Sequence, residues 1–554
     1  MGATLSPLIL LKWSIARGIG KKGITREIMS GITNEKRTAI DWVTANEKFL
    51  SNFNQEIWNY AEPAFREYKS AKAYCDLLRK EGFKVTEGTA EMPTAFMASF
   101  GEGRPVLGSF AEYDAVPGCS QQAVPYKAPR DGLHPYAAGH TDPHSALGVG
   151  ALAGILAAKE AMKKHDLKGT LKLFGEPAEK ICAAKTVHAA KGYYDDYDAF
   201  IAYHPTYWPM GNTVTLDTGA GAYWSVLFTF ECLEPETWIS QELLAGHPYA
   251  ARCPGALDAV CLMYTTTKYT KEAMFPHIGT WALNEYILVA GQCTSDNLPP
   301  RISQIQYAWR SPTLGIQERI FQVLENNAEH VAEVTHCKLS KRWITKTRVG
   351  LPNHAMSDLV YRNLELVGPT RYGEEAKKVA REIQKNCGIE PMEDPLDELS
   401  EILVSPQESE AVLRKVLPPW QESFYADDYV EYTWHTPTAR LWTSRAHLKP
   451  SPSVRYSYPM WVFCAMSGIR STIDPAIFVA GKTIGASIVE LLMEPSELKK
   501  AQDEFKERTG GGIGGSKWLA PLLPADFKPP VDLRWPEYIT TVRGEEWWIP
   551  NPIE

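Results

Sequence analysis

Between residues 94 and 205, short apolar runs of strand character alternate with helical stretches, and that alternation narrows the fold more than any other feature. The runs are Thr94–Phe100, Pro105–Phe110, Gly169–Phe174 and Ala199–Tyr203, and the helical segments include Ala146–Lys164 and Ala183–Lys191. Strands that alternate with helices build a sheet covered on both faces, so the expected class is α/β. Two or three helices precede it, because Ile40, Trp42, Val43, Phe49, Ile57, Tyr60 and Phe65 recur at helical spacing before the Gly82 stop.

With 554 residues the chain exceeds what one small module needs, so a second unit is expected. The pattern changes near Gly219: a strand at Trp224–Phe230, a helix from Ala256, strands at Tyr286–Val289 and Ile302–Trp309, then a helix Gln317–Val334. Two such units make a smaller, ferredoxin-like α+β domain inserted into the larger one. A long helix at Pro475–Leu492 is expected to rejoin the first domain. The boundaries read as an arm at 1–35, the first domain at 36–217 and 346–508, the insertion at 218–345 and an extended tail at 509–554.

Composition restricts the function classes. Hydrophobic residues at 44% and charged residues at 22% fit a globular chain. The 58 basic and 66 acidic residues leave a net charge of -8, and no basic run suits a phosphate backbone, so nucleic acid is not an expected partner. Ten cysteines without a CxxC pair read as thiols of a reducing compartment, hence a cytoplasmic placement. Leu5–Ile15 is apolar but carries Pro7 and Lys12 and is too short to span a bilayer, so no stable membrane insertion is expected.

The chemistry sits where strands end. Four segments follow or adjoin strands: Glu112-Tyr113-Asp114-Ala115-Val116-Pro117, Gly139-His140-Thr141-Asp142-Pro143-His144, Gly175-Glu176-Pro177-Ala178-Glu179-Lys180 and Ala202-Tyr203-His204-Pro205. In open α/β sheets ligands bind beyond the carboxyl ends of strands, so Asp114, His140, Asp142, His144, Glu179 and His204 are expected to face one crevice. Imidazole and carboxylate suit zinc, manganese or cobalt, and a further carboxylate beside an activated water can take its proton. Any one of these residues alone reads more simply as a helix cap or a satisfied loop histidine.

The order of motifs resembles the aminobenzoyl-glutamate hydrolase-like amidohydrolases, of the metallopeptidase superfamily that holds aminoacylase, carboxypeptidase G and the indole-acetyl-amino-acid hydrolases. It is carried by Ile57-Trp58-Asn59-Tyr60-Ala61-Glu62-Pro63-Ala64-Phe65, Glu112 to Gly118, Gly139 to Gly150, Pro177-Ala178-Glu179 and His204-Pro205. Gly246-His247, Asp296-Asn297-Leu298-Pro299 and Ile473-Asp474-Pro475 extend it. The resemblance implies a two-metal catalytic domain in the first unit, a lid in the insertion that forms a homodimer, and hydrolysis of an amide joining an acyl or aroyl group to an amino acid.

Residue by residue, the resemblance implies Glu179 as general base, His144 and His204 as metal ligands, and Asp142 in place of a ligand cysteine. Asp474 falls where the family has a late ligand histidine. Lys180 replaces a ligand glutamate and repels a second cation, so one zinc or manganese ion at most, or none, is expected. His247 is implied to reach a partner's active site. Asp114, Asn297, Arg310 and His435 are implied to meet the substrate, with Asp428 or His435 a replacement ligand. Tyr113, Tyr203, Trp208, Trp434 and Trp461 suggest an aromatic pocket. Two other readings stand beside the metal-dependent amidohydrolase: a metal-independent enzyme using Glu179, Lys180 and a histidine for amide formation or cyclisation, and a non-catalytic binding dimer.

Overall fold

A long helix made almost entirely of small and aliphatic residues, His144–His165, forms the axis of the larger domain and is buried along nearly its whole length. In the computed structural model, which describes residues 32–133, 135–234, 255–291, 300–450 and 458–533 with the backbone of 537–541 and 544–548, this helix packs against Arg470–Met493. Both helices are long and apolar enough to cross a membrane, but both spend their apolar surface on the core. Glycine lets them approach. A Cβ at Gly154 would lie 2.5 Å from Ile484 Cβ, and one at Gly150 would lie 2.5 Å from the Tyr203 ring.

The sheet beneath this pair has seven strands. In chain order they are β1 (Lys84–Glu87), β2 (Phe96–Glu102), β3 (Val106–Ala111), β4 (Gly169–Gly175), β5 (Ala199–Thr206), β6 (Thr213–Val214) and, returning late, β12 (Thr438–Ser444), in spatial order β1-β2-β4-β3-β5-β12-β6. Pairings β3–β4, β3–β5 and β5–β12 are parallel. Four carboxyl ends therefore open at one edge, and the crossover from β3 to β4 delivers His144 there at the first turn of its helix. The α/β class stands, and each strand read from sequence lies within a few residues of its observed position.

The inserted unit is a second sheet. Strands β7 (Gly219–Glu231), β8 (Ala282–Val289), β9 (Ile302–Ser311) and β10 (Lys338–Lys346) pair in the order β10-β7-β9-β8, all antiparallel. With helices Ala256–Met274 and Leu314–Val334 after β7 and β9, this is the ferredoxin-like order. Trp224, Phe228, Tyr307, Trp309 and Phe321 fill its core. A short strand β11 (Ser423–Ala426) from the returning chain pairs in parallel with the start of β7 and ties this sheet to the segment that carries Asp427 and Asp428.

The described tail after the helix Pro495–Thr509 is largely irregular through residue 533 and is pinned by backbone contacts. Trp518 Nε1 donates to Trp434 O at 2.5 Å, and Arg66 donates to the carbonyls of Val531 and Leu533 at 2.9 and 2.7 Å. It also holds a strand pair not anticipated from composition, β13 (Glu537–Thr541) with β14 (Gly544–Trp548).

The close approach of the two apolar helices makes a direct prediction. Gly154→Val forces a branched side chain onto Ile484 and costs about 1–3 kcal/mol, read as a lowered thermal or urea midpoint, whereas Gly315→Ala, in a helix where a Cβ would meet nothing within 4 Å, leaves it level or slightly raised.

Candidate active site

At the end of β3, Asp114 is fully buried beneath the first residue of the long helix. Its Oδ1 lies 2.6 Å from His144 Nδ1 and its Oδ2 accepts the Lys180 backbone N–H at 2.8 Å. With a carboxylate as acceptor, Nδ1 carries the proton and Nε2 faces the crevice. Asp114 therefore orients His144 and does not meet substrate, contrary to the expectation from sequence, because the turn before the helix seats it behind the ring.

Around His144 Nε2 the carboxylate oxygens of Glu179, Glu112 and Asp142 stand at 3.1, 3.4 and 3.7 Å. Burial lowers the affinity of His144 for a proton, but Asp114, Glu112 and Glu179 outweigh it and hold the imidazole well above its ordinary range. The positive end of its helix adds to the welcome for these carboxylates. On the other side, His204 Nε2 lies 3.3 Å from Asp142 Oδ1, and its Nδ1 donates to the Pro205 carbonyl at 2.8 Å.

Glu179 and Lys180 enter the crevice from a tight turn after β4. Ala178 and Cys182, which flank that turn, hold φ of 57° and 50°, a left-handed conformation that costs non-glycine residues energy and is kept where structure or function demands it. Lys180 Nζ reaches Asp142 Oδ2 at 2.9 Å and Glu179 Oε2 at 3.3 Å. Burial opposes charge on all three. It is overcome: Lys180 and the histidines hold Asp142 and Glu179 well below the carboxylate range, and those carboxylates raise Lys180.

Behind this layer lies a second set of buried charges. Lys185 Nζ, fully enclosed, donates to Glu112 Oε1 and Asp428 Oδ1, each at 2.7 Å, and sits 4.5 Å over the Phe110 ring. Burial raises the Glu112 and Asp428 carboxyls more than Lys185 lowers them. Arg440 pairs with Asp427 at 2.5 Å.

In front of this set, and touched by Asp427 from it, lies a cavity of about 290 Å³. Asp142, Glu179, Lys180 and His204 line one part, Arg310 from β9 reaches in from the inserted sheet, and Tyr207, Tyr425, Trp442 and Arg445 complete the wall. The aromatic lining is thus Tyr207, Tyr425 and Trp442. Tyr113 and Tyr203 belong to the core and Trp434 is nearly buried, so the aromatic set expected from sequence is corrected.

Two further expectations are overturned. Asp474, on the helix Arg470–Met493, accepts from Ser51 Oγ at 2.6 Å and does not join the cluster, since the helix turns its carboxylate toward the helix Glu47–Tyr60. His435 packs against Tyr194 and Trp518 with Nδ1 2.6 Å from Asp195 Oδ1, away from the cavity lining. His140 is buried and kept neutral, its pKa lowered to about 3, first by burial and then by His144. His247 and Asn297 lie outside the described residues. Lys185, Asp427, Trp442 and Arg445 carry no signal in the sequence. Glu112 stands inside a strand-end motif, and its place one step after β3 is the clue.

The donor set fits a cation. Glu112, His144 and His204 bring ligand atoms within 4.8 Å of one another, as do Glu179, Asp427 and Asp428. Glu112 Oε2 and Asp428 Oδ2 are sealed from solvent and accept no hydrogen bond. Lys180, however, already fills the space between Asp142 and Glu179.

Residues 110–441 match the Peptidase family M20/M25/M40. The chain belongs to this family. As a family member it is a hydrolase acting on carbon–nitrogen amide bonds. One of the subunits of the p-aminobenzoyl-glutamate hydrolase of Escherichia coli (strain K12) is 27% identical over 481 residues, covering 85% of this chain and 94% of that protein. The N-acetyl-L-cysteine deacetylase of Bacillus subtilis (strain 168) is 30% identical over 174 residues, 31% of this chain and 40% of that protein. Among solved structures, an aminobenzoyl-glutamate utilization protein from Klebsiella pneumoniae has the same fold, with a TM-score of 0.50, 13% identity, and coverage of 82% of this chain and 98% of that one.

The buried charges make two predictions. Lys185→Met leaves Glu112 and Asp428 facing each other without their shared cation and destabilises the fold by about 3 kcal/mol, seen as a lowered unfolding midpoint. Asp474, raised to about 6 first by burial, holds its proton more tightly folded than unfolded, so its contribution is present at acid pH and is lost as pH rises from 4 to 6. Asp474→Asn therefore gains on the wild type by ~2–3 kcal/mol across that window, stays level above it, and keeps the same metal content.

Proposed function

We propose that this M20/M25/M40 family member hydrolyses the amide bond of a small N-acyl or N-aroyl amino acid, with Glu179 as the group that moves the proton. The observation that carries the reading is the convergence of Asp142, Glu179 and His204, from three separate segments, on one wall of a cavity large enough for such a molecule, with His144 buried directly behind Glu179 and Asp142. Glu112, His144 and His204, with Asp142 beside them, would hold one zinc or manganese ion. When bound, such an ion makes a water molecule more acidic and offsets negative charge that develops on the amide oxygen.

The chain's own residues supply the rest. Glu179 rests as a carboxylate, positioned by His144 and Lys180, takes a proton from the attacking water and returns it to the departing amine. Lys180 neutralises Asp142 and Glu179, which otherwise repel each other in a poorly solvated place. Arg310, which lines the cavity, would take the amino acid carboxylate, and Asn297 and His247 are assigned by resemblance to the substrate and to a partner's oxyanion. The homodimer is part of this proposal, with Tyr286, Ile287 and Leu288 exposed on β8, the outer strand of the inserted sheet. So is the cytoplasmic placement, which suits the free thiols of the described cysteines.

A second reading keeps the cavity without an ion. It is favoured by the Lys180 ammonium, which occupies ground between two carboxylates where the family resemblance places a cation's ligand. Glu179, Lys180 and His144 or His204 would then exchange protons with substrate unaided.

The test is turnover of a panel of N-acyl and N-aroyl amino acids with manganese, with zinc and with a chelator. The expected outcome is chelator-sensitive hydrolysis, with kcat falling ~10²–10⁴-fold in Glu179→Gln; chelator-insensitive turnover supports the second reading, and full activity in the variant ends both. Metal analysis is expected to give one ion per chain, rising to two in Lys180→Glu, which exchanges a cation for a ligand.

A further inference from the structure

One wall of the cavity is not used by the hydrolytic proposal. Arg445 follows β12, is 5% exposed and lines the cavity. Its backbone N–H donates to Thr206 O at 2.7 Å, which fixes it beside the end of β5. The guanidinium lies 5.0 Å over the Tyr207 ring and gives one N–H to Ser467 Oγ at 2.7 Å. No carboxylate pairs with it among the described residues.

Other buried arginines of the chain are treated differently. Arg348 pairs with Glu431 at 2.7 Å and Arg440 with Asp427 at 2.5 Å, while Arg66 is met by the carbonyls of Phe65, Val531 and Leu533. A guanidinium withdrawn from water without a counter-ion is unfavourable unless an anion joins it, and its planar fork matches a carboxylate through two parallel hydrogen bonds. The stack on Tyr207 holds the plane of that fork in place.

We propose that Arg445 is a carboxylate-recognition residue and that the preferred substrates carry a second carboxylate besides the one assigned to Arg310. This rests on the cavity being the amide-binding site. The register sets the span. Trp442 pairs with His204 and Ser444 with Thr206, so Arg445 begins three residues beyond the level of His204, roughly 10 Å along the strand direction. A diacyl group or a carboxyl-bearing aroyl group covers such a distance, as does an acidic amino acid side chain bound in the other sense.

Two substrate pairs distinguish these sources: N-glutaryl-alanine against N-pentanoyl-alanine for the acyl side, and N-pentanoyl-glutamate against N-pentanoyl-norvaline for the amine side. The expected result is a KM at least 10-fold lower for the acidic member of one pair. In Arg445→Met the ratio of kcat/KM within that pair collapses to about one, and Arg445→Lys, which keeps charge without the fork, retains part of it. An equal preference in wild type and Arg445→Met overturns the proposal, as does the absence of preference in both pairs.

Calorimetric titration with glutarate separates this from failure of the hydrolase reading, because it needs no turnover. Binding to the wild type that weakens at least 10-fold in Arg445→Met and less in Arg445→Lys supports the subsite even where no amide is cleaved. Binding unchanged by either substitution, or no binding to the wild type, overturns it.

Discussion

Carboxylates from several strand ends are packed within a few ångströms of one another away from bulk water, and the chain meets that repulsion with two lysines of its own. Lys180 serves the front of the cluster and Lys185 the back. Without them the acids would take up protons or push the strand ends apart. Much of the local architecture answers this constraint: the left-handed turn that aims Glu179 and Lys180, the Asp114 beneath His144, and the helix whose positive end faces the acids.

The two lysines differ in what they leave free. Lys185 takes one oxygen of Glu112 and one of Asp428 and leaves their others sealed from solvent without a hydrogen bond. Lys180 lines the open cavity, where solvent meets it. It is a fixed cation between Asp142 and Glu179, two acids that would otherwise repel each other.

The fold was legible because its signal is periodic. Strand and helix segments between residues 94 and 205 repeat often enough that small boundary errors do not alter the topology, and the change of pattern near Gly219 marks the inserted sheet. The front of the site was legible for a related reason: Glu179 and His204 sit at strand ends and Asp142 and His144 at the start of the crossover helix, where sequence position and spatial position agree. Lys185, Asp427 and Arg445 were not, since each is brought in by tertiary packing from a segment with no motif around it. Asp474 and His435 were assigned by resemblance alone, which gives a position along the chain but not the direction of a side chain: Asp474 turns to Ser51 and His435 to Asp195.

The parallel pairing of β11 with β7 has a mechanical meaning. Asp427 and Asp428 follow β11 directly, so the ladder that joins it to the inserted sheet is a leash on the acid pair. Any swing of that sheet about its junctions must either carry those two acids with it or unzip the ladder, and opening and charge arrangement are therefore geared together by main-chain hydrogen bonds.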